Sequence, residues 1–185
     1  MDFEEVRDKI AFKLVNTQKT RYPLEEIPHR EFLDLSFVYF FVAYKNEEGM
    51  KTVMIKNDYL STWGISPEEL HETASLNFSR IFSLQMMGPE DHMEKLVVCT
   101  TKKKLFGAVY MAHIPLLSTV AEAFEDDLCI IPSSIHEIIL IPAKGLERET
   151  IDAMIRDVNK KAVREDEYLS DHMYLFSRMG EEVIF

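Results

Sequence analysis

The sequence predicts an α+β fold, a mostly antiparallel sheet built of hairpins with helices packed against it. Three observations carry that expectation. Apolar runs come in pairs around polar turns, the pairs are separated by stretches of helical spacing, and a strong helix start at Ser66-Pro67-Glu68-Glu69 falls between two such pairs. Hairpins divided by helices argue for antiparallel pairing, whereas a parallel doubly wound sheet needs single strands alternating with helices. The clearest pair surrounds Pro132-Ser133-Ser134, where turn chemistry separates two buried-strand-like runs, so Leu128 to Pro132 and Glu137 to Ile141 are expected as adjacent strands.

The other elements follow in chain order. Phe3, Val6, Ile10 and Leu14 lie three or four apart, which predicts one amphipathic helix from Asp2 to Val15 with Asp2 as its N-cap. Lys19 to Arg30, with two prolines, reads as a loop. Leu33, Leu35, Phe37, Tyr39 and Phe41 share one face of a long strand starting near Phe32, and Asn46-Glu47-Glu48-Gly49 turns it back into Thr52 to Ile55. Ser66 caps a helix with proline in its first turn and Leu70, Ala74, Asn77, Phe78 and Ile81 on one face. Leu96 to Thr101 and Leu105 to Met111 are expected as a strand pair around Lys102-Lys103-Lys104, followed by a helix from Ile114 to about Phe124. The last helix runs from Leu146 to Arg164, and Met173 to Phe176 with Val183 to Phe185 form a closing hairpin. No linker divides the chain, so residues 1–185 read as one α+β domain.

With 46% hydrophobic residues the chain has the material for a real core. Its net charge of -11 repels a phosphate backbone, so nucleic acid is not an expected partner. Cys99 and Cys129 sit inside apolar runs without CxxC spacing, which suits reduced thiols and a cytoplasmic location. The N-terminus has no signal-peptide pattern and the apolar runs are too short to span a bilayer, so no membrane is expected. The asparagines Asn77 and Asn159 are expected to fix packing by hydrogen bonds.

The segments Ile27 to Leu35, Trp63 to Leu70 with Ala74 and Asn77, Gly107-Ala108, Pro132 to Glu137, Val158-Asn159 and Leu169 to Tyr174 together resemble the domain-of-unknown-function family numbered 5688. The resemblance covers nearly the whole chain. It implies a bacterial protein, of a family found mainly in Firmicutes, and it implies no activity. Relatives often carry a further N-terminal segment, and the stretch between Phe82 and Leu96 is short here by comparison.

Two segments hold the residue types of an acyl-transfer triad. Ser133, Ser134, His136 and Glu137 form one, and Ser170, Asp171 and His172 the other. In a strand starting at Ile135, His136 and Glu137 point to opposite faces and do not form a dyad; no Gly-x-Ser-x-Gly elbow surrounds either serine. Both serines are therefore expected to hold a turn through local backbone. The remaining triad pairs Ser134 with His172 or His136, and the two segments are expected to converge at one end of the sheet. The histidines His29, His71, His92, His113, His136 and His172 are dispersed, and no metal motif or glycine-rich phosphate loop occurs, so no metal or cofactor is expected. The sequence thus favours a cytosolic domain that binds a protein or small ligand, with a serine hydrolase as the alternative and assembly through a sheet edge as a third class.

Overall fold

A computed structural model of the chain describes residues 1–46, 49–89 and 95–185. It is an α+β fold whose contacts gather into two compact units, Met1–Ser83 and Leu84–Phe185, each with its own antiparallel sheet.

In the first unit a short helix α1 (Phe3–Val6) and a 3-10 turn (Arg7–Lys9) lead into strand β1 (Ile10–Asn16). The helix expected over Asp2 to Val15 is thus confined to its first residues. Ile10, Phe12 and Leu14 recur every second residue as well as Ile10 and Leu14 every fourth, so the spacing fits both periods. The sheet decides between them. β1 pairs along its length with β3 (Leu35–Asn46), from Ile10 opposite Phe41 to Asn16 opposite Leu35.

The loop expected to Arg30 ends earlier, because β2 (His29–Phe32) pairs with β3 through a two-residue reversal at Leu33 and Asp34, Leu33 adopting a φ of 56°. The long strand therefore starts at Leu35 rather than near Phe32. β4 (Gly49–Met54) pairs with the rest of β3, and the expected turn residues Glu47 and Glu48 lie outside the described residues. Leu35 to Val42 are buried on both faces, as a central strand requires. A helix α2 (Asn57–Trp63), absent from the sequence expectation, ends at Gly64, which takes a φ of 68° as a left-handed cap favours. α3 (Pro67–Ile81) begins as expected, with Ser66 Oγ accepting from the Glu69 amide. It buries Leu70, Ala74, Asn77 and Phe78, and Asn77 donates to the carbonyls of Arg7 and Ile10.

The second unit is a six-stranded antiparallel sheet in the order β10-β9-β7-β8-β6-β5, comprising β5 (Leu84–Met87), β6 (Val97–Thr101), β7 (Leu128–Ser134), β8 (Glu137–Pro142), β9 (Tyr174–Ser177) and β10 (Glu182–Ile184). The central hairpin forms, Cys129 opposite Ile141 and Ile131 opposite Ile139, but its turn is not at Pro132-Ser133-Ser134 as expected: β7 runs on to Ser134, opposite Glu137, through an irregularity after Pro132, and the chain reverses at Ile135 and His136. Helices α4 (Ile114–Phe124) and α5 (Arg148–Ala162) and the closing hairpin also match.

The strand expected over Leu105 to Met111 is a 3-10 helix, Gly107–Ala112. Its cause lies in backbone contacts that apolar spacing does not encode. The Gly107 and Ala108 amides donate to the carbonyls of His136 and Ile135, so this segment docks on the β7–β8 turn instead of pairing with β6. A Cβ on Gly107 would come within 2.5 Å of His136 O and Thr100 Cα, and only glycine allows that approach.

Side chains alternate across this sheet. Cys129, Ile131 and Met173 pack with Ile155 of α5 on one face, with Ile139, Ile141, Ala143 and Ile151 around them. Ile130, Ile138, Leu140 and Tyr174 alternate to the other face and are fully buried. Among the described residues no helix is long and apolar enough to cross a membrane.

Candidate functional site

The two segments with triad chemistry meet at the same end of the second sheet. The Ile135 amide donates to Glu167 O, 2.9 Å away, and β7 pairs with β9 up to Ile130 opposite Tyr174, which brings the residues just before β9 alongside the end of β7. Their side chains then separate into distinct groups.

Ser134 Oγ accepts from the His136 amide at 3.1 Å, a local turn bond of the kind expected for serine. Ser133 departs from that expectation: its hydroxyl donates to Glu137 Oε1 at 3.0 Å rather than binding backbone. The ring of His136 is held from both ends. Its Nδ1 accepts from the Phe106 amide at 3.1 Å, which leaves the ring proton on Nε2, and Nε2 lies 3.5 Å from Glu167 Oε1. Thr100 Oγ1 and the Gly107 amide both donate to the carbonyl of the same residue. His136 and Glu137 thus diverge, one toward Phe106 and the other toward Ser133, though not by strand alternation: β8 starts at Glu137 rather than Ile135, and His136 lies in the turn.

His172 lies against Tyr174, with centroids 4.6 Å apart, and against Phe185 at 5.5 Å. Its Nδ1 is 3.0 Å from Met173 O, and a bond to that carbonyl requires the proton on Nδ1. Asp171 turns to α5, where its Oδ1 accepts from Asn159 Nδ2 at 3.0 Å. The second hydrogen of that amide goes to Ser170 O at 2.8 Å, so Asn159 ties the helix to the segment before β9. Asp152 reinforces the tie by accepting from the Met173 amide at 2.8 Å.

Between α5 and the β7–β8 hairpin lies a groove of about 100 Å³. Ile131, Ile139, Met154 and Val158 give it an apolar lining, and Ser133 and Asn159 are the polar residues of that lining. Ser133 is bonded to Glu137 and Asn159 to Asp171, so two carboxylates stand one hydrogen bond behind the polar lining. Met154 and Val158 keep the helical spacing of an apolar face, yet each is 46% exposed. The signal was present in their spacing: they flank the Ile151–Ile155 stripe on one side, where a single helix leaves the sheet uncovered. Glu167 and Phe106, the partners of His136, had no signal, since their positions follow from tertiary docking.

The remaining singled-out residues are placed elsewhere. Burial raises the Cys129 thiol to about 11 and the Cys99 thiol to about 12, so neither is a ready nucleophile. His71 belongs to the first unit, where it stacks on Phe12 and lies 2.9 Å from Tyr39 Oη. His113 Nδ1 accepts from the Leu116 amide at the start of α4, and His29 Nδ1 lies 3.2 Å from Ile27 O. His92 lies outside the described residues. Tyr39 and Phe41 of the expected strand face are core.

The sequence model of one family, the Family of unknown function (DUF5688), matches the chain over residues 1–97 and 83–178. The chain belongs to DUF5688. The second matched stretch contains all seven triad-type residues, Ser133, Ser134, His136, Glu137, Ser170, Asp171 and His172, and the groove beside them. No curated protein and no solved structure matches this DUF5688 chain.

Proposed function

We propose that this DUF5688 protein is a non-catalytic binding domain of the bacterial cytoplasm, and that it takes its ligand in the groove between α5 and the β7–β8 hairpin. The observation that carries the reading is the engagement of His136: Nδ1 accepts a backbone amide and Nε2 faces Glu167, which leaves that ring no nitrogen to serve Ser134 as a base. The Ser134 hydroxyl, for its part, is used as a turn acceptor. The half-exposed Met154 and Val158 beside Ile131 and Ile139 supply apolar surface next to oriented polar groups, the usual composition of a binding site. Two free, buried thiols support the cytoplasm, and the charge of -11 argues against nucleic acid.

A fragment titration followed by methyl NMR of the full chain tests this. Saturable shifts should concentrate at Ile131, Ile139, Met154 and Val158. Shifts gathered elsewhere, with these methyls silent, would reject the groove.

A further inference from the structure

We infer that the groove receives the side chain of an arginine presented by a protein partner. The inference rests on the binding reading above and names the chemistry of the occupant. Size comes first. A groove of about 100 Å³ falls well below the roughly 300–1,000 Å³ of drug- or cofactor-sized pockets and suits one extended side chain.

The lining then selects which side chain. Ile131, Ile139, Met154 and Val158 offer an apolar wall, which a methylene stem covers well. At the two polar lining residues, Ser133 and Asn159, every side-chain hydrogen is already committed. The Ser133 hydroxyl hydrogen goes to Glu137, and both Nδ2 hydrogens of Asn159 go to Ser170 O and Asp171. What Ser133 and Asn159 still offer a ligand is their oxygens, and an oxygen of this kind only accepts. Behind them stand the carboxylates of Glu137 and Asp171. Of the basic residues late in α5, Lys161 is paired with Asp157. A site of acceptors with negative charge behind it demands a ligand rich in donors and without acceptors, and a guanidinium is the side-chain group that matches: planar, always charged and carrying five N–H groups. The charge of -11 acts in the same direction by steering a basic partner toward the chain.

The experiment is a methyl NMR titration of the full chain with n-butylguanidinium, its neutral isostere n-butylurea, N-acetyl-arginine-N-methylamide and spermidine. The two guanidinium compounds should shift Ile131, Ile139, Met154 and Val158 saturably, and butylurea should bind at least several-fold more weakly. Glu137→Gln, which keeps an acceptor for Ser133, should weaken the guanidinium compounds roughly fivefold, the scale expected for a partly screened charge pair. Glu149→Gln, an exposed change in the first turn of α5, should leave them unaltered. Equal binding of butylurea would overturn the arginine assignment while leaving the groove as a binding site. Spermidine binding without the capped arginine would overturn the protein partner. Silence of the methyls of all four residues toward every probe would reject this inference and the groove together.

Discussion

At the scale of single residues, the fold of the second unit turns on Gly107. Its amide reaches His136 O only because no Cβ stands between the 3-10 segment and Thr100. Gly107→Ala is expected to lower stability by about 2–3 kcal/mol, since the obstructing atoms are backbone and have no rotamer to escape into. Chemical denaturation measures it; a loss below roughly 0.5 kcal/mol, the scale of ordinary surface changes, would contradict the close approach. A second residue effect belongs to His71 in the first unit. Burial lowers its pKa below the ordinary 6.5, the Arg30 charge adds to this, and Glu72 opposes it. Tyr39, raised to about 12 by burial, stays protonated beside it. Because the folded form resists protonation and the unfolded form does not, the contribution of His71 is fully present above about pH 6.5 and is lost as pH falls from there through the folded value. His71→Gln should flatten that part of the stability curve between pH 7.5 and 5.5, leaving the carboxylates to account for what remains.

At the scale of elements, β8 shows what alternation conceals as well as what it reveals. Ile138 and Leu140 are fully buried, whereas Ile139, on the groove side, is only partly covered. Ile138→Asp should cost about 4 kcal/mol or more, as an unpaired charge in a packed core does, and Ile139→Asp less than half of that, because water reaches the groove. Equal losses in thermal unfolding would mean that the α5 side is closed. The hairpin itself was legible because two apolar runs bracketed Pro132-Ser133-Ser134, and α3 was legible because Ser66 and Pro67 cap it. β1 was not, since Ile10, Phe12 and Leu14 satisfy a helical and an extended period alike and only pairing with β3 resolves the choice. The 3-10 segment escaped for a related reason: Leu105 to Met111 is apolar enough for a strand, and its fate is set by amide bonds to a turn some thirty residues later.

At the scale of the whole molecule, the residues that the sequence offered as a triad lie at one end of the second sheet but make contacts other than those of a triad. Ser133 lines the groove with Glu137 bonded behind it, and Asp171 is bonded behind the lining Asn159, while Ser134, His136 and His172 hold a turn, a docked 3-10 segment and an aromatic contact. Residue identity alone could not separate a triad from this arrangement, because the distinction lies in which nitrogen accepts which amide. The central claim is that the polar residues position a binding groove and do not activate a nucleophile. Exposure of the full chain to a serine-directed alkyl fluorophosphonate, read by intact mass, tests it most directly. The account predicts an unmodified mass; one adduct per chain, mapped to Ser133 or Ser134, would contradict it.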